Sequence, residues 1–186
     1  MKKVAIIISL ISVPYLATAQ SVFDKYEDMD QVGSVVVNQK MFEMLADIET
    51  NDQDSASIIN QAKMLNNLTV YTTSSLEVTK TMGQDVAKYI MSSNLEELMR
   101  IKEGNSSIKF YVLEGSDDNH VKELLMFVKG LTNMTKNQNI TINGKQPVVE
   151  TVLLSLKGDI DLREVSKLTA KLNVPGGELL KKATKE

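Results

Sequence analysis

The alternation of apolar and polar positions divides the chain into six strand-like runs and several helical ones. Ser34 to Val37 is a β-branched run, and from there Val37, Met41, Met44, Leu45 and Ile48 recur at the spacing of one helical face. A strand feeding a helix is expected. After the polar stretch Glu49 to Ser55, Ile58, Ile59, Ala62 and Leu65 suggest a second short helix closed by Asn66 and Asn67. Leu68 to Thr73 alternates and is rich in β-formers. Ser74 and Glu77 then have capping-box spacing before a helix that carries Val78, Met82, Val86, Tyr89 and Ile90 inward.

Three strands follow, Glu97 to Glu103, Ile108 to Glu114 and Val121 to Lys129. The short polar connections at Gly104-Asn105-Ser106 and Gly115 to Asn119 require antiparallel neighbours. In the middle strand Ile108, Phe110 and Val112 share one face, opposite Lys109, Tyr111 and Leu113, so one side should pack under helices. Leu131 to Gln146 is an Asn-rich connection with room for a hairpin at Asn143-Gly144. Val148 to Leu156 is the last strand, and Asp161 with Glu164 caps a helix bearing Leu162, Val165, Leu168 and Leu172, ended by Pro175-Gly176-Gly177. The expected fold is α+β, a mostly antiparallel sheet of about five or six strands with helices packed on one face.

The N-terminus changes the compartment. Lys2 and Lys3, an apolar run from Val4 to Val13, Pro14 and then Ala17-Thr18-Ala19 are ordered as in a secretory signal, with cleavage expected between Ala19 and Gln20. The organisation is then a signal at 1–19, an acidic lead-in at 20–33 that is mobile or helical, one domain at 34–174 and a Lys-rich tail at 175–186. Export is expected, to the periplasm or beyond the cell. No Cys exists to carry a lipid anchor, and no later segment approaches a membrane span.

Composition narrows the chemistry. With no Cys and one His in 186 residues, thiol chemistry and most metal centres lose a member, and no cofactor is expected. The net charge of −3 gives no electrostatic footprint for nucleic acid. Asp159 and Asp161 beside Gly158 offer two carboxylates for a cation or for acid-base work, although Gly158 in a tight turn and Asp161 as a helix cap explain them without ligands. Asp117 and Asp118 lie in an oxygen-rich turn that lacks calcium-loop spacing, and His120 beside them is the single imidazole. These five residues are the weak binding candidates, on loops where function most often sits. Methionines 41, 44 and 82 read as inward-facing core filler.

The FDKY segment at Phe23 to Tyr26, the strand-to-helix SVVVNQKMFEML, the meander and the closing LLSLKGDIDLREVSKL together resemble the uncharacterised bacterial family called domain of unknown function 4252. The resemblance covers about Phe23 to Leu172. It implies a small exported α+β domain of the kind common in Bacteroidota, with no established activity. Many such relatives begin with a lipoprotein Cys, and this chain departs from them. The functional expectation is a non-catalytic binding or accessory module of the cell envelope, whose partner is an envelope protein or extracellular ligand. A carboxylate-based or cation-assisted hydrolase and a sensor domain of an envelope signalling system stand as alternatives.

Overall fold

The computed structural model describes residues 21–47, 59–132 and 149–165. The signal segment, Ile48 and Ile58, the hairpin expected at Asn143-Gly144, Leu168, Leu172 and the tail lie outside the described residues. A 3-10 turn at Asp24–Tyr26 precedes β1 (Val32–Asn38) and α1 (Gln39–Ala46). Strand β2 (Leu65–Thr73), helix α2 (Leu76–Ser93) and strands β3 (Glu96–Glu103), β4 (Ser106–Glu114), β5 (His120–Lys129) and β6 (Thr151–Asp161) follow. The six strands form one sheet in the order β1-β2-β6-β5-β4-β3, antiparallel at every pairing. The α+β fold read from the sequence is the fold of the protein.

Helix α2 begins where Ser75 Oγ accepts from the Val78 amide, one residue later than the Ser74 expected as cap. Ser74 Oγ is not needed, because Thr73 Oγ1 accepts from the Ser75 amide and hands the chain from strand to helix. The helix ends at Asn94, whose left-handed backbone (φ 53°) suits its short polar side chain. Its Met82 and Val86 are buried against Tyr71, Tyr111, Leu125, Phe127 and Leu153 on one face of the sheet, with Val78, Tyr89 and Ile90 packed at the margin. Ile108, Phe110, Val112, Leu124 and Val128 form a second buried cluster on the opposite pleat, and Leu162 and Val165 after β6 pack on it. Both faces therefore carry apolar cover. Helix α2 sits over the Tyr111 side of the middle strand.

Three local expectations are corrected. Asn66 and Asn67 do not close a helix; β2 starts at Leu65, with an irregularity in its pairing to β6 between Leu65 and Asn67. On α1 only Phe42 is buried, while Met41 and Met44 are exposed, because the helix follows the edge strand β1 and, among the described residues, packs mainly against β1 and β2. Gly158 makes no tight turn. It lies within β6 at φ 148°, where a Cβ would stand 2.3 Å from the Met64 carbonyl oxygen, and the strand runs on to Asp161.

The acidic lead-in is part of the core. Phe23 and Tyr26 are buried under α2, Phe23 meeting the Tyr89 ring edge-on at 5.0 Å and Tyr26 meeting Tyr71 at 5.8 Å. The charges flanking these rings face outward or pair, so the segment reads as polar while it anchors through its aromatics.

Candidate functional site

Three places concentrate polar chemistry: the turn before β5, a network beneath the N-terminal segment, and a groove beside α2. The turn holds the residues singled out from the sequence. Asp117 organises it, its Oδ1 accepting from the Asn119 amide at 2.8 Å and its carboxylate reaching His120 Nδ1 at 2.9 Å. Gly115 closes the turn by donating to the His120 carbonyl at 2.9 Å, an approach that leaves no room for a Cβ. Asp118 is exposed at the tip. His120 is paired with Asp161 in the sheet, so antiparallel register brings the turn to the end of β6.

Asp161 is buried, and both of its carboxylate oxygens are engaged. Its Oδ1 accepts from the Arg163 amide and Nε at 2.9 and 3.0 Å, and its Oδ2 from Arg163 Nη2 at 2.7 Å. The carboxyl is held below its usual range, first by the Arg163 hydrogen bond, against the opposing effect of burial. Asp159 is exposed and lies two residues earlier on the strand. The structure thus gathers Asp117, His120, Asp159 and Asp161 at one end of the sheet, beside a concavity of about 460 Å³ that Asp117, Asp118 and His120 line and Asp159 and Asp161 do not. The Asp117 hydrogen bond raises the His120 imidazole above its ordinary value, desolvation opposing and the charges of Asp117, Asp159 and Asp161 adding to the rise. The two β6 carboxylates do not converge as a catalytic pair, because one is bound to Arg163. No group of three or more His, Asp or Glu among the described residues is placed to hold a metal ion.

The second place was not singled out from the sequence. Glu123, only 4% exposed, accepts from Tyr89 Oη at 2.8 Å and from Ser155 Oγ at 2.9 Å, with Lys157 Nζ at 3.8 Å. Burial raises the Tyr89 hydroxyl, with the Glu123 hydrogen bond and charge adding to it. Burial alone would lower the Lys157 ammonium, yet the Glu123 charge and the neighbouring Tyr89 leave it raised. The signal was present: Glu123 shares the pleat of Leu125 and Phe127, and Ser155 and Lys157 share that of Leu153, so a period-2 reading places polar groups on the helix face. A small cavity of about 220 Å³, lined by Asp24, Glu27, Tyr71, Ser155 and Lys157 among others, adjoins this network.

The third place is a groove of about 560 Å³ between α2 and strands β4 and β5. Helix α2 covers Tyr111 and Phe127, which lie buried at the back of the groove. Val86, Ile90, Tyr111 and Phe127 supply an apolar floor, and Lys80, Lys109 and Lys129 stand among the lining residues. No carboxylate and no imidazole lines it.

A single antiparallel sheet with one long covering helix and no metal-ligating cluster among the described residues defines a small α+β domain. The sequence matches the family model of the Domain of unknown function (DUF4252) over residues 26–168, and the chain belongs to that family. No curated protein and no solved structure matches the chain. Among the described residues, no helix is long and apolar enough to cross a membrane.

Proposed function

We propose that the protein is an exported, non-catalytic binding module of the bacterial cell envelope. The observation that carries the reading is the groove beside α2: a ligand-sized concavity with Leu76, Ala87 and Ile90 along the helix and three lysines in its lining, offering contact surface and no proton-transfer pair. Of the paired carboxylates that a hydrolase would use, Asp159 and Asp161, the second is bound to Arg163. Export rests on the order of Lys2, Lys3, the apolar run and Ala17-Thr18-Ala19. On this reading the secreted chain begins at Gln20.

Incubation with envelope extract followed by mass spectrometry of the retained proteins and small molecules, with the Ala87→Trp variant as groove-blocked control, tests the binding role, and a broad hydrolase screen tests its rival. The expected result is enrichment that Ala87→Trp abolishes, without turnover. Hydrolysis that Asp159→Asn or Asp161→Asn abolishes, with no groove-dependent partner, would replace the binding module by the hydrolase.

A further inference from the structure

We infer that the α2 groove binds an amphipathic organic anion, a compact apolar or aromatic body carrying one carboxylate, sulfonate or phosphate head; this rests on the binding-module reading and names its ligand class. The chain is acidic as a whole, at −3, yet the groove is lined by three ammonium groups and no carboxylate. Lys80 and Lys129 are exposed and make no ion pair among the described residues. Lys109 stands directly opposite Arg100 in the β3–β4 register, an arrangement of like charges that weakens a sheet. Glu97 offsets this by pairing with Arg100 at 2.5 Å, and its charge also reaches Lys109, which lines the groove. Gathering cations around a concavity raises its potential and concentrates anions there.

The floor decides what kind of anion. Tyr111 and Phe127 are buried behind the groove, at 7% and 5% exposed, and the apolar surface open to a ligand beside the lysines is that of Leu76, 75% exposed, with Ala87 and the half-buried Ile90. A bare inorganic anion would leave that surface wet, and a neutral apolar molecule would leave Lys80 and Lys129 without an ion-pair partner among the described residues. A single molecule with both parts satisfies the rim and the floor together. The volume, about 560 Å³, lies within the range of small-molecule sites, which assigns the ligand to that class rather than to a folded partner.

Two fluorescent probes of similar shape test this on the purified full chain. One is 8-anilinonaphthalene-1-sulfonate, an aromatic anion; the other is N-phenyl-1-naphthylamine, its neutral counterpart. The expected result is saturable binding of the sulfonate about tenfold tighter than of the neutral probe. Lys109→Gln and Lys129→Gln should each weaken the sulfonate about threefold and leave the neutral probe unchanged, as partly exposed charge pairs do. Ala87→Trp, a change at an exposed helix position lining the groove, should abolish both, with circular dichroism and a thermal melt checking that each variant is folded. Dodecanoate should displace the sulfonate where inorganic phosphate does not. Equal affinity for the two probes, lost in Ala87→Trp, would end the anion assignment while leaving the binding site in place. Displacement by phosphate as effective as by dodecanoate would remove the requirement for an apolar body. Indifference of both probes to Ala87→Trp would end the groove as a site and the binding-module reading with it.

Discussion

The Tyr26 hydroxyl donates to Asp85 Oδ2 at 2.5 Å, joining the N-terminal segment to helix α2 across 59 positions of sequence. Lys25 Nζ reaches the same oxygen at 2.5 Å, so one buried carboxylate receives both a neutral and a charged partner. The contact makes an acidic lead-in part of the folded core. Tyr26→Phe keeps the ring against Tyr71 and removes only the hydroxyl, which leaves Asp85 one partner short. A loss of about 2 kcal/mol is expected for a hydrogen bond to a buried charge, read as a lower midpoint in urea with an unchanged slope.

Asp85 also sets an acid limit to stability. Burial alone would raise its carboxyl, but the hydrogen bonds from Lys25 and Tyr26 and the charges of Lys25 and Lys88 outweigh burial and hold it below the ordinary Asp range. A carboxyl whose folded pKa is depressed contributes stability above its unfolded pKa, and that contribution disappears as pH falls through the folded value. The thermal midpoint should therefore fall on acidification below about pH 4, the ordinary Asp value. In Asp85→Asn the starting stability should be lower and the acid slope shallower. An unchanged slope in that variant would mean that other carboxylates carry the acid transition.

The long helix and strands such as β4, where Ile108, Phe110 and Val112 oppose Lys109, Tyr111 and Leu113, were legible from a sustained period, whereas β1 was legible only as the β-branched run Ser34 to Val37. What escaped was decided at longer range. The apolar face of α1 was read as inward, but the helix follows the edge strand β1 and packs mainly on β1 and β2, so Phe42 is buried while Met41 and Met44 are not. Gly158 and the two aspartates after it look like a turn, whereas Gly158 pairs with Leu65 of β2 and Ile160 and Asp161 pair with Val121 and His120 of β5, which keeps the segment in β6. The site residues were found where loops were expected, and the register joining His120 to Asp161 could not be read from either segment alone. Glu123 and Lys157 were hidden in strands because a charge in an apolar run looks like a solvent-facing position until the opposite pleat is also found to be covered.

Two glycines should respond in opposite directions. At Gly158 a methyl group meets the Met64 carbonyl at 2.3 Å and Leu65 Cα at 2.7 Å, and both are backbone atoms that cannot move aside. Its φ of 148° adds strain for any side chain. Gly158→Ala should cost about 2–4 kcal/mol. Gly83 is an interior position of α2 where a methyl would lie 3.7 Å from Phe127, at ordinary contact distance. Gly83→Ala should stabilise by about 0.5–1 kcal/mol through the backbone entropy that glycine loses in a helix. Paired denaturation curves of the two variants check both signs.

The His120 imidazole should titrate above the ordinary histidine value, because its Nδ1 bonds the Asp117 carboxylate and the charges of Asp159 and Asp161 add to the effect. A group whose folded pKa is raised contributes stability below its unfolded pKa, and the contribution is lost as pH rises through the folded value. Nuclear magnetic resonance of the single imidazole follows the titration without overlap. Asp117→Asn should return the midpoint toward the value of free histidine. It should also loosen the turn, since the same carboxylate accepts from the Asn119 amide.

Asp161 separates a structural carboxylate from a functional one. Its Oδ1 accepts from the Arg163 amide at the start of the helical turn after β6, the position where a cap satisfies an otherwise unpaired donor. Arg163 closes the arrangement with two further bonds from its guanidinium, although half of that side chain remains in solvent and adds little. Asp161→Ala should cost about 1 kcal/mol through the lost cap, and Arg163→Ala less. Asp161→Asn retains an oxygen that can still accept from the Arg163 amide, so it should recover most of the loss despite the missing charge. Equal destabilisation by Asn and Ala in urea denaturation would instead assign the stability to the ion pair, and unchanged stability in both would remove the structural role of this carboxylate.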